Sequence, residues 1–360
     1  MSDFLQLHFL TSYPPANLNR DDLGRPKTAM VGGTQRLRVS SQSLKRAWRT
    51  CDLLQMKLEG SLGTRTKDLG NLVYDKLLEK KVDSARADEV AKKVAAVFGK
   101  LKAPKQAGKK KGAEVASSGE ERQIEQLAHI STGELAGIQA LIARVAKGEE
   151  PKDEDYAKLL TNGHGTVDIA LFGRMLAADP SKNVEAAAQV AHAFSVHKVT
   201  VEDDYFTAVD DLNKGEEDVG AGHIGTNEFG AGLFYEYVCI DRELLRENLD
   251  GDKELAERTL RALVEACLKV GPTGKQNSFA SRAFASYALA EKGAEQPRSL
   301  AVAFLKAAEG RDLLEAAIGE LESTREKMDK VYGPCAEAVY RLDAKSGQGS
   351  LAELLDFVAK

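Results

Sequence analysis

The chain of 360 residues has little cysteine, few aromatic residues and no excess of positive charge. Its four cysteines lie far apart and form no CxxC pair, which excludes a disulfide framework and a typical zinc site and predicts reduced, buried thiols. No apolar run approaches the ~18–20 residues that span a bilayer. The first residues also lack the basic and apolar regions of a secretory signal, so we expect a cytoplasmic protein.

The charge balance limits the ways in which the chain can bind nucleic acid. There are 50 lysine and arginine residues against 55 aspartate and glutamate residues, for a net charge of −5. A chain without a general positive surface can bind nucleic acid only through a local basic patch. Apolar residues make up 43% of the chain, which excludes a mostly disordered protein and suits one large domain or two ordinary ones.

Two strands and a helix are predicted near the N-terminus. Apolar and polar residues alternate over 5–9, which is typical of a strand with one buried face. A second strand, with Arg36 and Arg38 on its outward side, runs directly into a helix capped by Ser40 or Ser41.

The rest of the chain changes character twice. Helical periodicity over 60–165 predicts a helical lobe inserted into the first domain. Residues 199–226 are acidic and contain several glycines, which predicts a protruding hairpin or extended loop. The remaining predicted elements are strands near 167–175, 197–201, 233–238 and 279–289, and helices over 184–194 and 253–268. This order favours an α+β fold with helices packed on one face of a sheet, an architecture that includes the ferredoxin-like and RNA-recognition folds.

The segment 36–49 is rich in lysine, arginine and serine and contains no carboxylate. On a helix it would form two stripes: Leu44, Trp48 and Cys51 facing the core, and Gln42, Lys45 and Arg49 facing outward. Serine hydroxyls and the N–H groups at a helix start bind anions, and lysine and arginine favour phosphate. A solvated basic face with an ordinary serine cap is the alternative, and the missing carboxylate favours the anion site.

Two glycine-containing motifs carry less information. The GxGxxG match over 220–225 lacks the preceding strand and following helix of a dinucleotide site, so we interpret it as accidental. Gly274 and Lys275 resemble the end of a phosphate loop without the complete motif. They could grip a backbone phosphate, although a simple connector explains them as well.

Acidic residues dominate the predicted hairpin. The two acidic pairs at 203–204 and 210–211, with His197 and His223 nearby, could form a metal or nuclease site, but their spacing matches no known ligand set. A solvated acidic hairpin is the favoured interpretation. Phe206 lies among these acids, where an aromatic ring packs on a neighbour or stacks on a base.

Several segments of the chain together match the pattern of one protein family. Residues 18–22, 32–33 and 36–47 look like its N-terminal signature, and the segments that resemble its central strand, its thumb and the following strand are 167–175, 204–212, 223–229 and 232–235. On these segments the chain resembles the Cascade backbone subunit (CasC family) of type I-E CRISPR systems.

The resemblance implies a hand-shaped protein with a modified ferredoxin-like or RNA-recognition palm. The palm would comprise residues 1–59, 166–198 and 227–360, the helical fingers 60–165 and the thumb hairpin 199–226. Such subunits polymerise head to tail along CRISPR RNA, kink it at regular steps and present it for pairing with target DNA in antiviral defence. The implied partners are the large, small, guide-end-capping and guide-processing Cascade subunits. No catalysis, cofactor or metal is implied.

The family's RNA contacts can be carried over by position. The residues expected to hold guide phosphates or to line the basic RNA-contacting loop are Arg20, Ser40, Gln42, Lys45, Arg46, Arg49, Lys275 and Gln276. Met175, by default a core methionine, and Phe206 match positions that wedge against bases. The basic linker 100–112 has no family counterpart; it could contact target DNA or be a solvated tether, and we favour the tether. The competing hypotheses are a metal-dependent nuclease using the acids of 203–211, and a structural α+β protein with an accidental basic helix.

Overall fold

A computed structural model describes residues 3–103, 119–176, 179–208 and 223–360 of the chain. Contacts divide it into two compact units. The sheet unit comprises Met1–Lys57, Ala188–Glu243 and Glu257–Lys360, and the helical unit comprises Leu58–Ala187 and Leu244–Ala256. The predicted α+β class is confirmed, while the ferredoxin-like arrangement and the predicted palm, finger and thumb boundaries stay predictions.

The strands pair in antiparallel fashion throughout the described chain. In chain order they are β1 (Phe4–Ala16), β2 (Thr28–Val31), β3 (Thr34–Val39), β4 (Thr64–Thr66), β5 (Ala128–Ile130), β6 (Ala188–Val190), β7 (Ala193–Ser195), β8 (Glu202–Ala208), β9 (His223–Asp241), β10 (Ala285–Gly293) and β11 (Ala338–Asp343). The large sheet has the order β11-β10-β1-β9-β7-β3-β2, with β6 and β8 also paired to β9, and β4 pairs with β5 in the helical unit.

The helices range from one turn to 20 residues in length. They are α1 (Ser41–Arg49), α2 (Asp52–Lys57), α3 (Leu69–Glu79), α4 (Ser84–Phe98), α5 (Thr132–Ala146), α6 (Asp153–Ala157), α7 (Val167–Phe172), α8 (Arg242–Asn248), α9 (Lys253–Lys269), α10 (Gln276–Phe279), α11 (Leu313–Tyr332) and α12 (Leu351–Ala359). Short 3₁₀ turns occur at Gly119–Arg122, Pro180–Lys182 and Ala301–Phe304. Of the described helices, none is both long and apolar enough to cross a membrane.

Strand β1 lies in the middle of the large sheet and is buried on both faces. Leu5, Leu7 and Phe9 are buried as predicted, but Gln6 and His8 between them are buried as well. The prediction of one buried face is therefore wrong. The second face is covered by α11 and by the chain near residue 298. These segments supply polar groups, such as the Arg298 N–H that donates to the Gln6 side chain, so the buried polar side chains have hydrogen-bond partners.

The helical unit has its own core, formed chiefly by α3, α4 and α5. These helices follow the predicted apolar periodicity, and two have strong N-terminal caps. The Asp83 carboxylate accepts hydrogen bonds from the N–H groups of Ala85 and Arg86, and Ser131 with Glu134 forms a capping box at the start of α5. Local sequence and packing agree here, so the elements were predictable.

Several predicted elements are wrong in type or position. The apolar run 167–172 forms helix α7 instead of a strand, and the alanine-rich stretch 184–194 forms β6 and β7 instead of a helix. Short apolar runs do not distinguish helix from strand, and pairing with β9 overrides helix propensity at the small, buried Ala188. The predicted strand 197–201 is not a strand, and β8 begins just after it. Strand β9 begins at residue 223, ten residues before the predicted strand at 233. The predicted strand 279–289 contains the last residue of α10 and the first part of β10.

The cysteines agree with the prediction of free thiols. Cys239, Cys267 and Cys335 are buried, and Cys51 is half-buried. Burial raises the pKa of the Cys239 thiol to about 11 and that of Cys267 well above its ordinary value. These groups are therefore protonated and unreactive at neutral pH.

Candidate nucleic-acid interface

Helix α1 is held against the sheet unit by one face. The Ser40 hydroxyl caps it by accepting a hydrogen bond from the Ser43 N–H at 3.4 Å. Leu44 and Trp48 are buried, and the indole N–H of Trp48 donates to the Val270 carbonyl at 3.0 Å. The predicted inward stripe is confirmed for these two residues, whereas Cys51, beyond the helix end, is only half-buried.

The opposite face of α1 carries amide and cationic side chains. Gln42 and Arg46 are exposed, and Lys45 and Arg49 are half-buried. No acidic residue lies in the first turn of the helix. Partial burial lowers the pKa of Lys45, because removing an ammonium from water disfavours its charged form. An anion next to Lys45 would offset this effect.

The loop that follows β1 lies beside the start of α1. The Asn19 side-chain oxygen accepts a hydrogen bond from the Ser40 backbone N–H at 2.9 Å, and the Asn19 carbonyl accepts one from the Lys27 N–H at 2.8 Å. Arg20 is exposed and forms a β-bridge with Pro26 through the backbone. Among the described residues, neither Arg20 nor Arg46 has an ion-pair partner.

The same loop also supports the segment that contains Lys275. A Cβ added to Gly274 would lie 2.3 Å from the Leu18 carbonyl oxygen, so only glycine allows this close backbone approach. Lys275 has a left-handed backbone conformation, with φ of 47°, and its ammonium donates to the side-chain oxygen of Asn227. Gln276 is half-buried, and its side-chain oxygen accepts a hydrogen bond from the Ser281 hydroxyl at 3.5 Å.

Residues 17–19 therefore connect the predicted phosphate-binding elements of the sheet unit. Through direct contacts they join the Ser40 cap of α1 on one side and Gly274 on the other, with Arg20 as the next residue in the chain. We call this cationic surface the anion surface and define it by Arg20, Ser40, Gln42, Lys45, Arg46, Arg49, Lys275 and Gln276. Cations, amides and a hydroxyl grouped in this way suit the phosphates of a nucleic-acid backbone.

A two-stranded ribbon extends β9 beyond the rest of the sheet. Strand β8 is exposed along its whole length, and among the described strands it pairs with β9 alone. The Phe206 ring lies across Gly225, where an added Cβ would be 2.4 Å from the ring, and 37% of the residue stays exposed. Tyr205 and Ile224 are exposed apolar neighbours on the ribbon. The acids at 210–211 and the side chain of His223 lie outside the described residues, as does most of the basic linker.

Met175 belongs to the helical unit and is 79% exposed, so the default interpretation as a core methionine is wrong. The preceding residue explains this position. Arg174 is buried and forms an ion pair of 2.8 Å with the equally buried Glu134, which ties the backbone to α5. Met175 follows this attachment and projects into solvent.

Arg36 corrects the prediction that it faces outward beside Arg38. It is fully buried, and its guanidinium donates to the Thr34 hydroxyl at 2.8 Å and to the carbonyls of Ser195 and Phe304 at 3.1 Å each. Arg38 is half-buried and lies 2.9 Å from a ring nitrogen of His192. Arg36 therefore holds β3 in place and is not part of the anion surface.

One residue of the metal-site alternative, His197, has other contacts. Both ring nitrogens of His197 are engaged, one accepting from the Leu233 N–H at 3.1 Å and the other lying 3.0 Å from the Lys198 carbonyl. Within the described ranges, no three histidine, cysteine or acidic side chains are grouped as a metal site.

Sequence reasoning missed the asparagines that organise the surface. Asn19 accepts a hydrogen bond from the Ser40 N–H, and Asn17 donates one to the Glu228 carbonyl. Asn227 accepts a hydrogen bond from the Lys275 ammonium. Asparagine is common in loops because its amide bonds to nearby backbone, but this local signal does not identify distant partners.

The profile of one protein family, described as CT1975-like protein, matches residues 5–355 of the chain. The chain belongs to this family. A comparison of this CT1975-like chain with curated proteins gave no match.

Two solved structures resemble the CT1975-like chain over nearly its whole length. One is a chain described as "CRISPR RNA-guided surveillance complex, pre-nicking", with 31% identity, a TM-score of 0.82 and coverage of 99% of both chains. The other is described as "CRISPR RNA-guided surveillance complex", with 27% identity, a TM-score of 0.60 and coverage of 99% of this chain and 98% of that one.

Proposed function

We propose that the chain is a guide-RNA-binding backbone subunit of a Cascade-type surveillance complex in CRISPR antiviral defence, of the CasC type found in type I-E systems. The observation that carries the proposal is the anion surface, in which Arg20, α1 and Lys275 are grouped around residues 17–19. The similarity to chains of RNA-guided complexes supports RNA as the anion.

The chemistry of the surface suits a backbone contact that is independent of sequence. Arginine and lysine bind phosphate through charge-assisted hydrogen bonds, and the exposed Gln42 can add neutral ones, whereas Ser40 is buried and contributes through the cap of α1. One copy offers few phosphate contacts, so it should bind RNA weakly and with a modest salt dependence. Copies arranged head to tail along one RNA would bind tightly through avidity.

The ribbon and Met175 supply the apolar groups that a kinked guide needs. Phe206 and Met175 present exposed side chains that can stack on or wedge between bases. In this proposal the sheet unit is the palm, the helical unit provides the fingers and the ribbon is the thumb. The bases between kinks would stay open to pair with target DNA.

The proposal assigns no catalytic step, cofactor or metal to the chain. Base pairing reads the target sequence, and the protein only holds the guide in shape. The other Cascade subunits would limit the array at its ends and along its length. Acidic residues of the ribbon would contact the next copy.

The test is the native mass and RNA content of the protein purified with its candidate partners and a CRISPR RNA. We expect a multi-copy particle that protects the RNA at regular intervals and keeps it intact in magnesium. The variant with Lys45→Glu and Arg49→Glu should lose the RNA. A monomer without RNA would contradict the proposal, and RNA cleavage that depends on magnesium would contradict its non-catalytic part.

A further inference from the structure

Two successive residues at the base of the ribbon contact Lys275 of the anion surface and the loop that follows β1. The Lys275 ammonium donates to the side-chain oxygen of Asn227. Next to it, Glu228 forms an ion pair with Arg25 at 2.9 Å, and its carbonyl accepts a hydrogen bond from the Asn17 amide at 2.9 Å. The ribbon is therefore attached to the loops that carry Arg20 and Lys275.

The two neighbouring ribbon residues differ in charge, and so they differ in their effect on the cations that they contact. Glu228 is negatively charged and neutralises Arg25, whereas Asn227 is neutral and leaves the full charge of Lys275 in place. An ammonium has three donors, so the bond to Asn227 leaves two for another acceptor. Lysine has a long flexible stem, and ordering this stem in advance lowers the entropy lost when a ligand binds.

We infer that Asn227 is a positioning residue, which holds the Lys275 ammonium ready for a guide phosphate without neutralising it. This inference rests on the proposed function. It makes the ribbon part of the phosphate site, because the strand that carries the exposed residues near Phe206 also orients a cation of the anion surface. The left-handed backbone of Lys275 and the close approach at Gly274 fix the other end of the same side chain.

The decisive variant is Asn227→Asp, which keeps the shape of the side chain and adds a negative charge beside Lys275. The new ion pair should leave the thermal stability equal or higher, whereas RNA binding should weaken about tenfold. The slope of log affinity against log salt should fall by ~0.7, the value for one lost phosphate contact on a single strand. A purely structural role for Asn227 would not separate stability from the salt slope.

Three comparison variants sharpen the experiment, which measures binding of the full chain to a labelled, unstructured single-stranded RNA at several salt concentrations. Asn227→Ala should weaken binding about threefold with the slope unchanged, because Lys275 keeps its charge but loses its orientation. In a Lys275→Met background, Asn227→Asp should have little further effect. Gln348→Glu, the same type of change on an exposed loop of the sheet unit, should leave binding unchanged.

The outcomes separate the inference from the proposed function. If Lys275→Met weakens binding and Asn227→Asp does not, or if Asn227→Asp acts equally without Lys275, the inference is overturned and the RNA-binding surface stands. If the wild-type chain shows no salt-dependent RNA binding, alone or with its partners, both are overturned.

Discussion

Two groups of cations in the sheet unit differ in what they contact. The first group is Arg298 and Arg325, which form ion pairs of 2.6 Å and 2.7 Å with the fully buried Glu291 of β10. The His8 ring lies 3.3 Å from the same carboxylate. Both guanidiniums also reach Asp329. The second group is the anion surface, where Lys275 bonds to a neutral amide and Arg20 and Arg46 have no ion-pair partner within the described chain.

The difference separates cations that serve the fold from cations that can serve a ligand. A guanidinium removed from water needs either hydrogen bonds to neutral groups, as Arg36 has, or a carboxylate partner, since an isolated charge in the protein interior is very costly. Arg298 and Arg325 are neutralised in the second way and have no charge left for an external anion. Arg20, Arg46 and Lys275 have no acidic partner among the described residues and keep their charge, which is what a polyanion such as RNA requires.

The largest expected effect is on the buried group. Glu291→Gln removes the carboxylate that Arg298 and Arg325 share, and we expect the free energy of unfolding to fall by about 3–5 kcal/mol. Denaturant unfolding measures this change. Glu295→Gln, at an exposed position four residues later, should change stability by less than ~0.5 kcal/mol. Equal stability of the two variants would remove the contrast between the groups.

Reversing charge on α1 should weaken RNA binding. Each lost charge-assisted hydrogen bond costs about 1.5–3 kcal/mol, so Lys45→Glu with Arg49→Glu should weaken RNA binding on the order of a hundredfold. The matched control reverses Arg261 and Lys345, which already pair with Asp356 and Asp312. Filter binding at fixed salt compares the two double variants, and an equal loss in both would show that only net charge matters.

A second buried glutamate, Glu236, differs from Glu291 in the direction of its pKa shift, so the two can be compared by the pH dependence of stability. Burial raises the pKa of Glu236 to about 8, only partly opposed by a hydrogen bond with Thr11. For Glu291, burial also acts to raise the pKa, but His8 and Arg298 outweigh it and hold the pKa well below the ordinary value. The two carboxyls therefore respond to their surroundings in opposite directions.

The sign of the pH effect at Glu236 follows from proton binding. Between pH 4.5 and 8 the folded state binds more protons at this site than the unfolded state, so its contribution to stability falls as pH rises. We expect Glu236→Gln to gain stability relative to wild type across this window, with no further gain above it. Denaturant unfolding at several pH values tests this, and a constant difference from pH 5 to 8 would contradict it.

The smallest effect is expected at a single exposed cation. Arg46→Ala should reduce the slope of log RNA affinity against log salt by ~0.7. Stability should stay within ~0.5 kcal/mol of wild type, since Arg46 has no ion pair among the described residues. Arg261→Ala, which removes an already paired cation, should leave the slope unchanged. A salt titration that finds equal slopes for both variants would place Arg46 outside the site.

The sequence predicts elements whose evidence is local. The period of 3.6 residues identifies the buried stripe of α1 through Leu44 and Trp48, and the lack of carboxylates around it marks the anion surface. Burial of Arg36 was not predictable, because its partners Ser195 and Phe304 lie 159 and 268 residues away in the chain. The same holds for Asn227, which meets Lys275 across 48 residues.

RNA that lies on the anion surface should shield its lysines from modification, and lysine protection tests this most directly. The purified complex is acylated with and without bound RNA, and the modified lysines are identified by mass spectrometry. We predict that RNA protects Lys45 and Lys275 but leaves Lys345, which is already paired with Asp312 and Glu315, equally reactive. Equal reactivity of Lys45 and Lys275 in the RNA-bound and RNA-free samples would contradict the account.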